Sequence, residues 1–307
     1  MEAHDGLSGA IAQRAGFKAL WASGRSIASS LGYRDANEAS WSQLVDVLER
    51  IVDSSELPVL VDGDTGFGNF NNARLLARKL RQRGAAALAL QDSCFPKMNS
   101  CQRHVLADIG EFSGRLRAVR DTVGRELVLV AGIEALIVGR EIDEAVSRAH
   151  AYADAGADAT LIHSRKSTAE EIFEFASAWR NRLPVVIIPT KYYQTPVSAY
   201  REARISTVIW ANHSMRAAIL VCAGSALGSW LGKGSRVLSP ILRRLLRFSI
   251  YWGTTNSSVP KRDISNPMTK KASSSCATGH MQFRRTGAMH PFHRCPPLNP
   301  AAQHVEI

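Results

Sequence analysis

The chain has 307 residues, 45% of them hydrophobic, enough to bury a large core. Single α/β barrels commonly use about 200 to 250 residues, so one main domain with an appendage accounts for the length. The net charge of +11 is concentrated in residues 219–307, which hold twelve Lys/Arg against two Asp/Glu, so the nearly neutral remainder is not expected to present a nucleic-acid or anionic-membrane face. Five cysteines, an odd number without a CxxC pair, and no cleavable apolar leader exclude a disulfide scaffold and point to a reducing, cytoplasmic compartment.

In chain order, "MEAHDG" reads as the clipped end of a strand, followed by a strand at 18–23, "KALWAS". "SWSQLVDVLERIVDSS" carries apolar residues three and four apart and predicts a helix before the strand "PVLVDGD" at 58–64. "NARLLARKLRQRG" is a second such helix, and "ALALQDS" (87–93) and "LVLVAGIEA" (127–135) are further strands. "ATLIHS" (159–164), the helix "TAEEIFEFASAWRN", "PVVIIPT" (184–190) and "TVIWANH" (207–213) complete the series. Alternating strands and helices imply parallel strands joined by right-handed crossovers, and eight such strands close an α/β barrel of the (β/α)8 type.

In that architecture chemistry gathers where strands end. Trp21, Ser23, Asp62, Asp64, Gln91, Asp92, Glu134, His163, Thr190, Asn212 and His213 all close an apolar run, which argues for a shared polar mouth. Side chains alternate faces along a strand, so Asp62 and Asp64 are expected to point the same way. Two converging carboxylates in a partly desolvated mouth repel unless a cation or proton intervenes. Mg²⁺, which takes one or two protein carboxylates and keeps several waters, suits such a sparse acid pair. The competing reading is that the two acids cap the next helix or lie solvated in a loop. Glycines 63, 66 and 68 resemble a phosphate loop, but no GK[ST] follows.

The segments "AHDGLSGAIAQRAGFKALWASG", "YRDANEASW", "VDGDTGFGNFNNARLL", "FPKMNS", "AGADATLIHSRK", "PTKYYQTP" and "VIWANHSMRAA" resemble the phosphoenolpyruvate mutase family of the isocitrate lyase superfamily over roughly residues 2–218. The resemblance implies a (β/α)8 barrel, a homo-oligomer with a helix swapped between subunits, and Mg²⁺-dependent conversion of phosphoenolpyruvate into phosphonopyruvate, the opening of phosphonate biosynthesis. It implies that Asp62 binds Mg²⁺, that Asp64 holds metal-bound water, and that Gln91 stands where a carboxylate supports the metal's water shell. It places Asp35 beside the migrating phosphoryl group, Lys97, Asn99 and Ser100 on a gating loop over it, and His163 on the substrate. Trp21, Ser23, Gly24 and Arg25 match the segment that lines the site and offers backbone N–H groups to substrate oxygens. A loose phosphoryl-transfer transition state needs such positioning and charge neutralisation more than a strong base. Lyases of the superfamily carry a cysteine where this chain has Asn99, which disfavours carbon–carbon cleavage; phosphonopyruvate hydrolase tends to have threonine there, which favours the mutase over the hydrolase.

The departures are specific. The family's "EDK" is here "QDS", with Gln91 and Ser93, and its "VARVEA" is "VAGIEA", with Gly132 in place of a substrate-clamping arginine. Arg25 replaces a leucine. These substitutions imply impaired turnover, since losing one partner in a metal's outer shell costs about 10 to 100-fold. Past residue 218 the resemblance stops. Residues 219–252 form an apolar and basic segment, too short in its apolar part for a comfortable bilayer span, and residues 253–307 read as a disordered basic tail.

Overall fold

The computed structural model describes residues 1–97 and 105–230. The expectations for Asn99 and Ser100, and for the tail beyond residue 230, lie outside the described residues. Eight strands and nine helices are described: β1 (Glu2–Ala3), α1 (Gly6–Arg14), β2 (Leu20–Ala22), α2 (Gly24–Ser30), α3 (Trp41–Asp53), β3 (Val59–Asp62), α4 (Phe70–Gln82), β4 (Ala87–Gln91), α5 (Ile109–Val123), β5 (Val128–Ile133), α6 (Ile142–Asp154), β6 (Ala159–Ile162), α7 (Glu170–Trp179), β7 (Val185–Ile187), α8 (Val197–Glu202), β8 (Thr207–Val208) and α9 (His213–Trp230). The strands pair in parallel in sequence order from β1 to β8. The Glu2 N–H donates to the Trp210 carbonyl at 3.1 Å, tying the first strand to the segment after the last. The barrel read from the sequence is therefore the fold, its first strand the short one expected.

Period-two alternation divides the strand side chains between two cores. Leu88 and Leu90 of β4, and Leu129, Ala131 and Ile133 of β5, face outward into the layer shared with the helices. Ala89, Val130, Leu161, Val186 and Ile209 face inward and, with Trp21, fill a smaller core inside the barrel. Two residues further along each strand the inward series continues with Gln91, Gly132 and Glu134, His163, Ile188 and Ala211. The polar mouth thus lies directly above the interior apolar layer because the same alternation runs through both.

The strands are shorter than the apolar runs, and several of the helices that follow begin on a polar cap. Ser23 caps α2, its Oγ accepting from the Ser26 N–H at 3.4 Å. Ser40 and Gln43 form a reciprocal capping box on α3, as do Asn69 and Asn72 on α4. Asn69 therefore does the work that one reading assigned to Asp62 and Asp64, which rules out the acids as helix caps. The apolar stretch after residue 216 belongs to α9, which runs without interruption through residue 218 and has no buried residue. Among the described residues no helix is long and apolar enough to cross a membrane.

Candidate active site

β3 ends on Asp62 because Gly63 must pass against β4. A Cβ at Gly63 would lie 2.5 Å from Leu88 Cδ1 and 3.1 Å from the Ala89 carbonyl oxygen, and the Gly63 N–H donates to that oxygen at 2.9 Å. Asp64 follows in the left-handed region, φ 47°. This corrects the strand-alternation argument: the chain turns between the two acids, and they do not share a strand face. They converge by another route. A Cβ at Gly24 would stand 3.3 Å from Asp62 Oδ2 and 3.5 Å from Asp64 Oδ2, so both carboxylates close on the start of α2, where only glycine fits comfortably.

A cavity of about 130 Å³ opens at the C-terminal ends of the strands. It is bordered by Trp21, Ser23 and Arg25 from β2 and α2, Asp62 from β3, Gln91 from β4, and Glu134 after β5. His163, Thr190 and Asn212 follow from the later strand ends, while Asp35 and Lys97 reach it from loops. Three of the acids and histidines read from strand ends do not border it. Asp64 and Gly24 line a smaller recess with Asp35 and Asn37. Asp92 is buried beneath the mouth, and the His213 ring pairs Nδ1 with the Ala211 carbonyl.

Lys97 is the centre of the acidic side. Its Nζ donates to Asp64 Oδ1 at 2.6 Å and Asp35 Oδ1 at 2.9 Å, with all three side chains largely buried. The three carboxylates around Lys97, led in effect by Asp64, hold its ammonium protonated against the desolvation that opposes it. Asn37 completes the clasp, accepting from the Lys97 N–H at 2.6 Å and donating from Nδ2 to Asp64 Oδ2 at 3.0 Å. Asn37 was not among the residues singled out from the sequence; its signal is a left-handed φ of 55° in a loop rich in polar residues, which only coordinates reveal. Both Asp64 oxygens are thus engaged within the protein. The Gly24 N–H donates to Asp62 Oδ2 at 3.2 Å, so this amide, expected to serve the substrate, is given to the carboxylate.

Burial, with Asp64 nearby, pushes the Asp62 carboxyl up to about 7, and burial with Asp92 nearby does the same to Glu134. Glu134 belongs to the site although its sequence signal was only a polar strand ending. His163 is displaced the other way, down to about 4 by burial, so its ring is neutral near pH 7. Its Nδ1 is buried without a partner, leaving one ring position for a ligand.

Beneath the mouth, Asp92 Oδ2 accepts from Tyr152 OH at 2.7 Å and from Arg148 Nη1 at 3.0 Å, while Oδ1 accepts from the Glu134 N–H at 2.8 Å. The Asp92 carbonyl accepts from the Ala107 N–H at 2.8 Å. One buried carboxylate therefore fixes the end of β4, the Glu134 main chain and the segment entering α5. On the same side Gln91 Nε2 donates to Ser93 Oγ at 2.8 Å, and Gln91 is the register partner of Gly132. Gln91, Ser93 and Gly132 are therefore neighbours.

Among the described residues there is no group of three or more His, Cys, Asp and Glu arranged to hold a metal. A carboxylate offers about four lone-pair sites, and Asp62 uses two of them on the amides of Gly24 and Asp64. It borders the cavity with a carboxyl that burial leaves poorly compensated. This donor set fits a hard ion held by one protein carboxylate and water, with Gln91 and Glu134 within the same cavity wall, and does not fit a many-ligand cage.

A family model described as phosphoenolpyruvate phosphomutase matches residues 1–227. Phosphoenolpyruvate phosphomutase of Tetrahymena pyriformis is 48% identical over 223 residues, which are 71% of this chain and 74% of that protein. The crystal structure of phosphoenolpyruvate phosphomutase from Streptomyces platensis subsp. rosaceus superposes with a TM-score of 0.76 at 33% identity, covering 84% of this chain and 93% of the other. A phosphonopyruvate hydrolase solved with oxalate and Mg²⁺ gives a TM-score of 0.75 at 32% identity, covering 85% and 93%.

Proposed function

Because the chain belongs to the phosphoenolpyruvate phosphomutase family, we propose that it is an isomerase of phosphonate biosynthesis that interconverts phosphoenolpyruvate and phosphonopyruvate, with turnover slowed by Gln91, Ser93 and Gly132. The observation that carries this reading is the Lys97 ammonium clasped by Asp35 and Asp64 at the edge of a cavity that Asp62 also borders. Such a site offers fixed charge and no strongly basic group, which is what intramolecular transfer of a phosphoryl group from oxygen to carbon requires.

The geometry supports the following roles. Lys97, pinned by two carboxylates, presents a fixed positive charge to the migrating phosphoryl group with no reorganisation. Asp35 lies at that same edge and holds the Lys97 ammonium in place. Neutral His163 borders the cavity, and with Trp21 and Ile188 it keeps water scarce around the transferring group. Asn99 and Ser100 belong to the reading as substrate contacts carried by the resemblance. Mg²⁺ would be held by Asp62, with Gln91 and Glu134 around its waters and Asp64 holding Lys97 instead, and would supply charge neutralisation for the substrate's oxygens.

A homo-oligomer belongs to this reading, supported by the exposed apolar side chains Ile219, Leu220, Leu227 and Trp230 of α9. A cytoplasmic location is supported by the free thiols Cys94 and Cys222. Phosphorus NMR tests the reaction: with phosphonopyruvate and Mg²⁺, the expected product is phosphoenolpyruvate. Free phosphate would instead establish a hydrolase, the second reading, which the likeness to phosphonopyruvate hydrolase favours. No turnover, and none after Gln91→Glu with Gly132→Arg, would leave a barrel that only binds.

A further inference from the structure

Arg25 is the second residue of α2, and its side chain borders the cavity alongside Asp35, Asp62 and Lys97. Lys97 is committed to two carboxylates. Arg25, by contrast, makes no hydrogen bond or ion pair with any described residue. A guanidinium stays charged at every accessible pH and presents a planar fork of donors that matches a carboxylate or phosphoryl group. It stands beside a cavity bordered by three acids without pairing with any of them, so its charge remains available to an anion that enters.

The strand ends of β4 and β5 supply no cation. Gly132 has no side chain, and a Cβ there would stand 3.2 Å from the Leu90 carbonyl oxygen and 3.3 Å from Gln91 Cα. A long side chain at 132 therefore requires β4 to give way. Charge recognition of an anionic substrate is left to the β2–α2 side.

We propose that Arg25 is the anion-anchoring residue of this cavity, forking onto an oxyanion group of the incoming 2-oxo acid. The inference rests on the functional reading above and assigns substrate affinity to a residue of α2. Arg25 binds; it takes part in no bond-making step.

The test is calorimetric titration of the full chain, at saturating Mg²⁺, with oxalate and separately with inorganic phosphate. Arg25→Leu removes no hydrogen bond or ion pair to any described residue and keeps an apolar stem, so its melting temperature should stay close to that of the parent chain. Its affinity for at least one probe should fall about tenfold or more, with Arg25→Lys in between because the point charge survives and the fork does not. Loss confined to oxalate assigns Arg25 to the carboxylate, and loss confined to phosphate assigns it to the phosphoryl group; either supports the anchor. Parent-like binding of both probes by both variants overturns it while leaving the functional reading intact. Failure of the unaltered chain to bind either probe overturns the functional reading and the anchor together.

Discussion

The two sides of the mouth are built on opposite principles. On the β2–β3 side, charges lock to one another: Lys97 to Asp35 and Asp64, Asn37 to the Lys97 main chain and Asp64, and the Gly24 amide to Asp62. On the β4–β5 side Gln91 is bonded to Ser93 with Gly132 beside it, Glu134 is the acid at the rim, and among the described residues buried support comes from one layer down in Asp92, Arg148 and Tyr152. The difference teaches which side of the mouth is held by charges paired to one another and which is held from the layer beneath. Charge clusters tolerate no piecemeal loss, because a single deletion leaves a buried carboxylate uncompensated. Exchange of a neutral amide such as Gln91 carries no such penalty.

The largest effect expected is that of Lys97→Met, which strips the acidic side of its cation. Urea titration should show a loss of about 3 to 5 kcal/mol, as for breaking a buried ion pair, together with loss of any phosphonopyruvate turnover. If the variant is as stable as the parent, the clasp does not organise this side. Gln91→Glu tests the other side: calorimetry should find Mg²⁺ bound about 10 to 100-fold more tightly, the range expected for restoring an outer-shell partner. Unchanged affinity would mean that the β4 rim does not face the ion.

The pH dependence of the metal-free chain also separates the two sides. Asp62 and Glu134 have carboxyls raised to about 7, so each adds stability that is complete below the normal carboxylate range and is lost as pH rises through 7. His163, lowered to about 4, acts in the opposite sense, losing stability as pH falls below its unfolded value. Asp92 and His4 are raised as well, so the raised groups outnumber the lowered one and stability should decline as pH rises from 5 to 7, a decline that saturating Mg²⁺ should flatten. Thermal melts across that range check the sign. The smallest effect is that of Tyr152→Phe, which removes one of the hydrogen bonds to Asp92 while Arg148 remains. A loss of about 1 to 2 kcal/mol is expected, with the Mg²⁺ affinity of the acidic side unchanged.

Much of this was legible in the chain itself. All eight strands lie within or beside the apolar runs that announce them, and the alternation that places Ala89 and Val130 inside the barrel carries Gln91 and Glu134 to its mouth. Asp35, Lys97 and Arg25 were found through motif and resemblance, since loop residues have no periodicity to betray which way they face. Asn37 went unnoticed because a left-handed asparagine in a loop looks like any other turn residue.

What the sequence by itself determined was the barrel and the ring of polar strand endings, because both follow from a local period of two and from alternation of element types. What only the tertiary structure decided was how the acids are distributed around that ring. Asp62 and Asp64 converge through a turn at Gly63, a position that must be small because β4 lies against it. Asp92 and Arg148 meet from elements 56 residues apart in the chain, and Lys97 reaches Asp35 across 62. Contacts at such separations depend on how strands and helices stack, and no short stretch of sequence encodes them.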